Sequence, residues 1–291
     1  MDNPLVSVVI ATYNMATFLP LAVRSALAQT YRNIEMLIID DGSTDTTAEH
    51  VAPFLADTRV RYLKQANGGQ AVAKNRGIRE ATGEYVAFLD ADDLWAPDKL
   101  EAQLPLFAAS PAVGVVYSAF AYIDEKGARL ASVPAKLHRG RVSGPLLIFN
   151  FVGFSTSVVK RGCFQRLGCF NENLGMGIDY DLWLRFSTQY EFDYVDRPLL
   201  HYREWPGQMS RNWNTRYRNG IEIMENFLRD FPDAVDKRTA NEAWAHTYSG
   251  FGRCMRESRR REALSLYLRA LRFKPDYFPA WKGIAATILG R

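Results

Sequence analysis

The stretch that most constrains this chain is residues 84–93, EYVAFLDADD. Tyr85 through Leu89 form a nearly continuous apolar run, the pattern of a strand buried on both faces of a parallel sheet. Polarity then inverts within one residue, and Asp90, Asp92 and Asp93 put three carboxylates into four positions. Neighbouring anions repel, so a fold that gathers them either uses them or leaves them in water. The C-terminal end of an interior strand is where open α/β sheets bind ligands. Hard oxygen donors there suit Mg(II) or Mn(II), with substrate phosphates completing the shell. The competing reading is helix capping, because Asp before a helix and Pro in its first turn are both common and Ala96-Pro97 follows. One Asp satisfies that reading, whereas three strain it.

The same grammar recurs upstream. Residues 5–11 (LVSVVIA) read as a buried strand that ends in Thr12-Tyr13-Asn14, and a helix is expected over 17–28 with Leu19, Val23 and Leu27 on one face. Residues 34–39 (IEMLII) form a second strand that ends in Asp40-Asp41-Gly42-Ser43-Thr44-Asp45. A helix to about residue 56 and a short strand over 59–63 follow. Asn67-Gly68-Gly69-Gln70 then opens a helix over 71–81 that carries Lys74, Asn75 and Arg76. A Gly pair lets backbone approach a ligand closely, but loops also carry Gly for conformational reasons alone. Four β-α units in the first 95 residues imply an α/β fold with an open, mostly parallel sheet and helices on both faces. Neither GxGxxG nor a Gly-Lys-Ser/Thr loop is present, which argues against a nicotinamide-binding Rossmann domain and a P-loop NTPase.

Further on, residues 113–123 read as a strand, 124–127 as a turn, 131–143 as a surface loop and 155–160 as another strand. Gly175 to Gly177 lead into a helix whose first turn holds Asp179 and Asp181. Acidic residues there favour the helix dipole, which is the structural reading; the functional one makes Asp179 a general base at the mouth of a site. Leu182, Trp183 and Phe186 are expected to bury this helix. Short strands over 192–195 and 198–202 finish the sheet.

Five stretches, VSVVIATYN, IIDDGSTD, NGGQAVAKNRGI, GEYVAFLDADD and GIDYDLWLRF, together resemble the family-2 glycosyltransferases in order and spacing, across about residues 4–210. The resemblance implies a GT-A nucleotide-sugar-binding fold, a nucleotide-sugar donor, a divalent metal (Mn(II) or Mg(II)) and transfer with inversion at the anomeric carbon. By position it implies that Thr12, Tyr13, Asn14 and Asp41 face the nucleobase with Asp40 beside them. Lys74 or Arg76 would be a further base or phosphate contact, and Asp92 would reach the ribose. Asp93 would ligate the metal, with Asp90 as a carboxylate on the metal side. Asp179 stands at the position of the catalytic base, and Arg203 resembles a late basic residue that steadies the diphosphate. Two departures touch the acceptor loop. Ile178 stands where the family often has Glu, and Gly168-Cys169-Phe170 replaces Gly-Gly-Phe.

The chain of 291 residues is long enough for one large domain with an appendage, taken here as 1–210 and a helical region 211–291. Formal net charge is +4, but from Arg211 onward 16 Lys and Arg face 9 Asp and Glu, a surplus of +7 against −3 for the remainder. Such a basic tail suits anionic lipid, nucleic acid or an acidic partner, or is simply a solvated face. Ala263, Tyr267, Ala270 and Pro275 resemble half of a tetratricopeptide repeat. Residues 277–289 read as an amphipathic helix for peripheral membrane contact, intramolecular packing or homodimerisation. Three cysteines without metal spacing, and no export signal, set the expectation of a cytoplasmic protein, peripheral at most on the inner face of the membrane. The expected substrates are a nucleotide sugar, UDP-linked first, and a saccharide or lipid-linked saccharide of cell-surface polysaccharide synthesis. A rival reading is an inactive binding or scaffold protein that acts through its helical tail. A nucleic-acid binder is disfavoured by the acidic strand ends, and a nucleotidyltransferase by the lack of a Gly-rich basic loop after the first strand.

Overall fold

The computed structural model describes residues 3–131 and 136–290, so part of the loop expected over 131–143 lies outside the described residues. The chain forms two compact units, Met1–Val142 with Phe151–Pro206, and Ser143–Asn150 with Gly207–Arg291.

The first unit is built on an eight-stranded sheet. Its strands are β1 (Val6–Thr12), β2 (Ile34–Asp40), β3 (Val60–Lys64), β4 (Tyr85–Phe88), β5 (Leu94–Trp95), β6 (Val113–Ile123), β7 (Val158–Lys160) and β8 (Glu191–Arg203). Their order is β3-β2-β1-β4-β7-β6-β8-β5. Strands β3, β2, β1 and β4 are all parallel, β7 is antiparallel to both of its neighbours, β8 is parallel to β6, and β5 is antiparallel to β8. The helices of this unit are α1 (Leu19–Leu27), α2 (Thr47–Val51), α3 (Gln70–Glu80), α4 (Lys99–Gln103), α5 (Pro105–Ala109), α7 (Arg161–Leu167) and α8 (Ile178–Ser187); α6 (Ser143–Ile148) belongs to the second unit.

Alternation along the strands assigns the helices to faces. Val6, Val8 and Ile10 share a core with Leu19, Ala22, Val23 and Ala26 of α1. The intervening Val9, with Ile39 of β2, points the other way and meets Gly77 of α3. The sheet is therefore covered on both faces, which is why β1 and β4 are apolar almost throughout.

Prolines account for most differences from the expected boundaries. The helix expected to reach residue 56 gives way to a 3₁₀ turn at Ala52–Ala56 with Pro53 in its first turn, and the helical stretch that follows Pro97 divides into α4 and α5 at Pro105. The two short strands expected over 192–195 and 198–202 are one strand, β8. Its pairing with β6 shifts register around Ala119 and Pro198, where the ring removes a ladder donor.

The second unit adds α9 (Trp213–Asp230), α10 (Lys237–Met255), α11 (Arg260–Phe273) and α12 (Phe278–Ile288) to α6. Asn212 and Asp236 cap α9 and α10 by accepting from the N–H groups of Thr215 and Thr239. Ala263, Tyr267 and Ala270 form the buried face of α11. The Tyr267 ring lies so close to Gly252 of α10 and Gly283 of α12 that a Cβ would fall 3.0 Å and 2.3 Å from it. No helix among the described residues is long and apolar enough to cross a membrane.

Close approach of α3 to β1 sets where Lys74 and Asn75 stand, and it depends on Gly77, where a Cβ would fall 2.3 Å from Val9 Cγ1. Val9 is stiff at χ1 and fully buried. Gly77→Ala is expected to cost about 1–3 kcal/mol by overpacking, a fall in Tm of roughly 2–4 °C per kcal/mol in a thermal melt.

Candidate active site

Because β2, β1 and β4 are parallel neighbours, their polar endings emerge along one edge, with Thr12 directly paired to Asp40. Thr12 is buried, and its hydroxyl has no hydrogen-bond partner among the described residues. Tyr13 is 47% exposed. Asn14 is the one non-glycine among the described residues with positive φ, at 53°. That conformation lets its Oδ1 accept from the N–H of Thr44 at 2.8 Å while its own N–H donates to Ser43 Oγ at 2.9 Å. The endings of β1 and β2 are thereby tied together.

Asp40 and Asp41 are turned inward. Asp40 is fully buried and accepts from the Ser43 N–H at 2.7 Å and from the Tyr62 hydroxyl. Burial, followed by this contact, pushes the Tyr62 phenol well up. Asp41 accepts from Gln65 Nε2 and from the N–H groups of Gly68 and Gly69, at 2.8, 2.9 and 2.7 Å. It thus holds the Gly pair in place at the start of α3. Arg76 donates to the Lys64 carbonyl at 2.9 Å from the outer side of that helix. Lys74 is nearly buried. Its ammonium lies 3.6 Å from the Phe154 ring centroid and 3.1 Å from Asp90 Oδ1.

The three carboxylates after β4 part company. Asp93 is 1% exposed and both its oxygens are taken, Oδ1 by the Arg203 N–H at 3.0 Å and Oδ2 by the Ser155 hydroxyl at 2.7 Å. Burial first, then the charges of Asp92 and Asp90, hold its carboxyl well above the usual aspartate range. Ser155 in turn accepts from the Asp90 N–H at 3.0 Å, and its carbonyl accepts from Trp95 Nε1 at 2.8 Å. Asp90 and Asp92 remain partly exposed. The side chain expected to ligate a metal, Asp93, is therefore an interior strut, and its two neighbours are the carboxylates that face outward.

Arg203 also differs from expectation. Its guanidinium is 1% exposed and stands 5.0 Å from the Phe18 ring centroid. Nε donates to the Asp92 carbonyl at 2.8 Å, and an Nη donates to the carbonyls of Asp124 and Glu125 at 3.2 and 2.8 Å. It braces the loop from within and does not open toward a diphosphate.

Asp179 occupies the first turn of α8 and is partly exposed, two residues after Gly177, the N-cap, which is in the left-handed conformation at φ 78°. Its neighbour Asp181 accepts from Nε and Nη2 of Arg185, whose Nη1 and Nη2 also donate to the carbonyls of Leu167 and Cys169 at 2.6 and 2.7 Å. Leu182, Trp183 and Phe186 bury the helix. The loop before it is held to α3. Asn75 exchanges two hydrogen bonds with the backbone of Phe170 at 2.9 Å, and Gln70 Nε2 donates to the Gly175 carbonyl at 3.4 Å. One helix thus carries Lys74 against Asp90 and Asn75 against the loop that leads to Asp179.

Sequence reasoning missed Ser155 and Trp205 and did not assign Asn75 this clamp. Asn75 lies inside a recognised motif, but Ser155 and Trp205 carry no local signal. Trp205 Nε1 donates to Asp92 Oδ2 at 2.8 Å. Among the described residues no group of three or more His, Cys, Asp or Glu stands together as a metal shell. Two outward carboxylates nevertheless fit Mg(II) or Mn(II), which bind through one or two carboxylates and complete their shells with phosphate and water.

Residues 7–165, more than half of the chain, match the sequence family described as "Glycosyl transferase family 2". The chain is 35% identical over 205 residues to an uncharacterised glycosyltransferase of Rickettsia conorii, across 70% of this chain and 33% of that protein, so it spans a third of that relative's length. Staphylococcus aureus TarS 1–349, solved in complex with UDP-GlcNAc, matches with a TM-score of 0.69 at 16% identity, over 98% of this chain and 92% of that one. The mannosyltransferase PcManGT from Pyrobaculum calidifontis, solved with GDP-Man and Mn2+, matches with a TM-score of 0.62 at 20% identity, over 99% and 86%. At these identities the two structures speak for the fold.

The interior role of Asp93 has a measurable signature. Asp93→Ala leaves a hydroxyl and an N–H without their acceptor and is expected to cost about 2–4 kcal/mol, with Asp93→Asn costing less. The wild-type carboxyl is raised above its unfolded value of 3.8, so its stabilising contribution is full below that pH and is lost as pH rises toward the folded value. Asn carries no such dependence. Urea denaturation at pH 5 and pH 8 should therefore find the Asn variant gaining on wild type at the higher pH.

Proposed function

The chain belongs to glycosyl transferase family 2 and has its GT-A fold, and from that membership we propose that it is a metal-dependent, inverting transferase. Its donor would be a nucleotide sugar and its acceptor a hydroxyl of a saccharide or lipid-linked saccharide in cell-surface polysaccharide synthesis. The observation that carries this reading is the division of acids around α3. Asp90 and Asp92 face outward at the end of β4, Asp179 is partly exposed in the helical turn that follows a loop held to α3, and Asp40, Asp41 and Asp93 are interior. UDP is the first donor base to try, given the UDP-GlcNAc complex of TarS, and GDP the second, given the GDP-Man complex of the mannosyltransferase.

In this mechanism the exposed Tyr13 ring offers a stacking surface for the base, in a pocket framed by Thr12, Asn14 and Asp40. Asp41 shapes that pocket through the loop it holds, and Arg76, in the middle of the helix that follows, donates to the Lys64 carbonyl beside it. Asp90 and Asp92 would hold Mg(II) or Mn(II), which when bound stabilises the charge that develops on the leaving diphosphate. Lys74, itself nearly buried, supplies a fixed positive charge beside Asp90. Asp179 accepts the proton of the acceptor hydroxyl as its oxygen attacks the anomeric carbon, on the sugar face opposite the diphosphate. Asp93 and Arg203 position the loop from inside.

The helical unit supports a peripheral location on the inner face of the membrane. Phe278, Trp281 and Ile288 follow one face of α12 and are 72%, 53% and 70% exposed, beside Lys282 and near the basic run from Arg259 to Arg261. That pairing of an apolar row with cations suits an anionic lipid surface.

Calorimetric titration with UDP, GDP and dTDP, each with Mn(II) and with EDTA, should find one nucleotide that binds in EDTA and binds more tightly with the metal. Asp92→Asn is expected to lose that metal-dependent part. Asp179→Asn should bind nucleotide as wild type does and transfer sugar about 10²–10⁴-fold more slowly. Equal loss of nucleotide binding in both variants would sink the assignment, and no binding of any nucleotide would favour a scaffold role. Sedimentation with vesicles containing anionic lipid should fall sharply in a Phe278→Ser, Trp281→Ser double variant; failure of the wild type to sediment would remove the membrane reading.

A further inference from the structure

The end of β8 grips the loop after β4 at three points. The N–H of Arg203 donates to Asp93 Oδ1 at 3.0 Å, Arg203 Nε donates to the Asp92 carbonyl at 2.8 Å, and Trp205 Nε1 donates to Asp92 Oδ2 at 2.8 Å. The first bond engages a buried side chain and the second fixes backbone. Only the third acts on a carboxylate that faces outward. The indole is itself braced, with its ring centroid 5.3 Å from that of Phe18, the same ring that faces the Arg203 guanidinium.

An aspartate side chain turns about two torsions. A donor on a rigid ring that grips one of its oxygens removes most of that freedom and gives the whole carboxylate one orientation. Outer donors of this kind orient metal-ligating carboxylates, and losing one typically weakens metal affinity 10- to 100-fold. The chemistry of the donor matters as well. An indole N–H is neutral, so it orients Asp92 without cancelling its charge, whereas Asp90 faces the ammonium of Lys74.

We propose that Trp205 is a positioning residue that sets the divalent-cation affinity of Asp92, an inference that rests on Asp90 and Asp92 being the metal-facing carboxylates. It links the far end of the sheet unit's last strand to the donor side of the reaction through one hydrogen bond.

The test uses the full chain and Trp205→Phe, which keeps an aromatic ring against Phe18 and lacks the N–H. Free Mn(II) is measured by electron paramagnetic resonance, with the metal alone and with UDP or GDP, whichever binds. The expected result is Mn(II) binding about 10- to 100-fold weaker than in wild type, with nucleotide binding in EDTA unchanged. A merely structural role would lower both. Unchanged Mn(II) affinity overturns the proposal, and tighter binding overturns it too, because the indole would then compete with the cation. Asp92→Asn in the same assay separates the two levels. If it binds Mn(II) as wild type does, the metal-site reading itself fails. If it abolishes binding and Trp205→Phe leaves binding untouched, only the role of Trp205 falls. Phe18→Leu keeps the indole N–H but loosens its support, and is expected to weaken Mn(II) binding by less than Trp205→Phe.

Discussion

A carboxylate withdrawn from water at the end of the central strand is the constraint around which this molecule is arranged. Asp93 is buried close to two other aspartates, Asp92 and Asp90, so burial without partners would be prohibitive. The fold meets that cost by bringing Ser155 and the backbone of Arg203 to its two oxygens. Ser155 then also fixes the start of the acidic run through the Asp90 N–H, and Trp95 fixes Ser155. With Asp93 held inside, the bend of the loop leaves Asp90 and Asp92 facing out. The outward pair and the inward acid are two results of one packing decision.

Much of the sheet was legible because apolar runs of five to seven residues ending in polar clusters have few other solutions. The alternation of β1 even separates the residues that meet α1 from those that meet α3. Legibility stopped where the determining contact is remote or where local chemistry is ambiguous. Pro53, Pro105 and Pro198 moved boundaries for reasons visible in the sequence. By contrast, β5 has two residues and exists only because β8 runs beside it. Which of three clustered aspartates faces inward cannot be read from a loop, which has no period. Arg203 resembled a ligand-facing residue, yet its guanidinium is enclosed by three carbonyls and a ring. Asp40 and Asp41 lie at the expected edge, but their oxygens serve the turns around them.

The helical unit illustrates a different economy. Tyr267 packs where α10, α11 and α12 converge, and the glycines on either side leave room for a flat ring where side chains would collide. The buried residues of α12 are small, Ala280, Gly283 and Thr287, with Gly283 against the Tyr267 ring. The outer face of α12 keeps Phe278, Trp281 and Ile288 in water. A helix whose inward contacts need so little apolar side chain can commit its large residues to an external surface.

The bonds from β8 to the acidic loop join residues 110 and 113 positions apart. That separation gives the loop a place in time as well as in space. During synthesis the β-α units that carry Tyr13, Asp41 and Lys74 leave the ribosome long before Arg203 and Trp205 do, and contacts of such span close late because their loop entropy must be met first. A nascent chain thus assembles the polar edge of β1 and β2 early and acquires a fixed acid loop only once the last strand docks. The cluster of like charges is left unclamped through most of translation, and its completion marks the closing of the whole sheet.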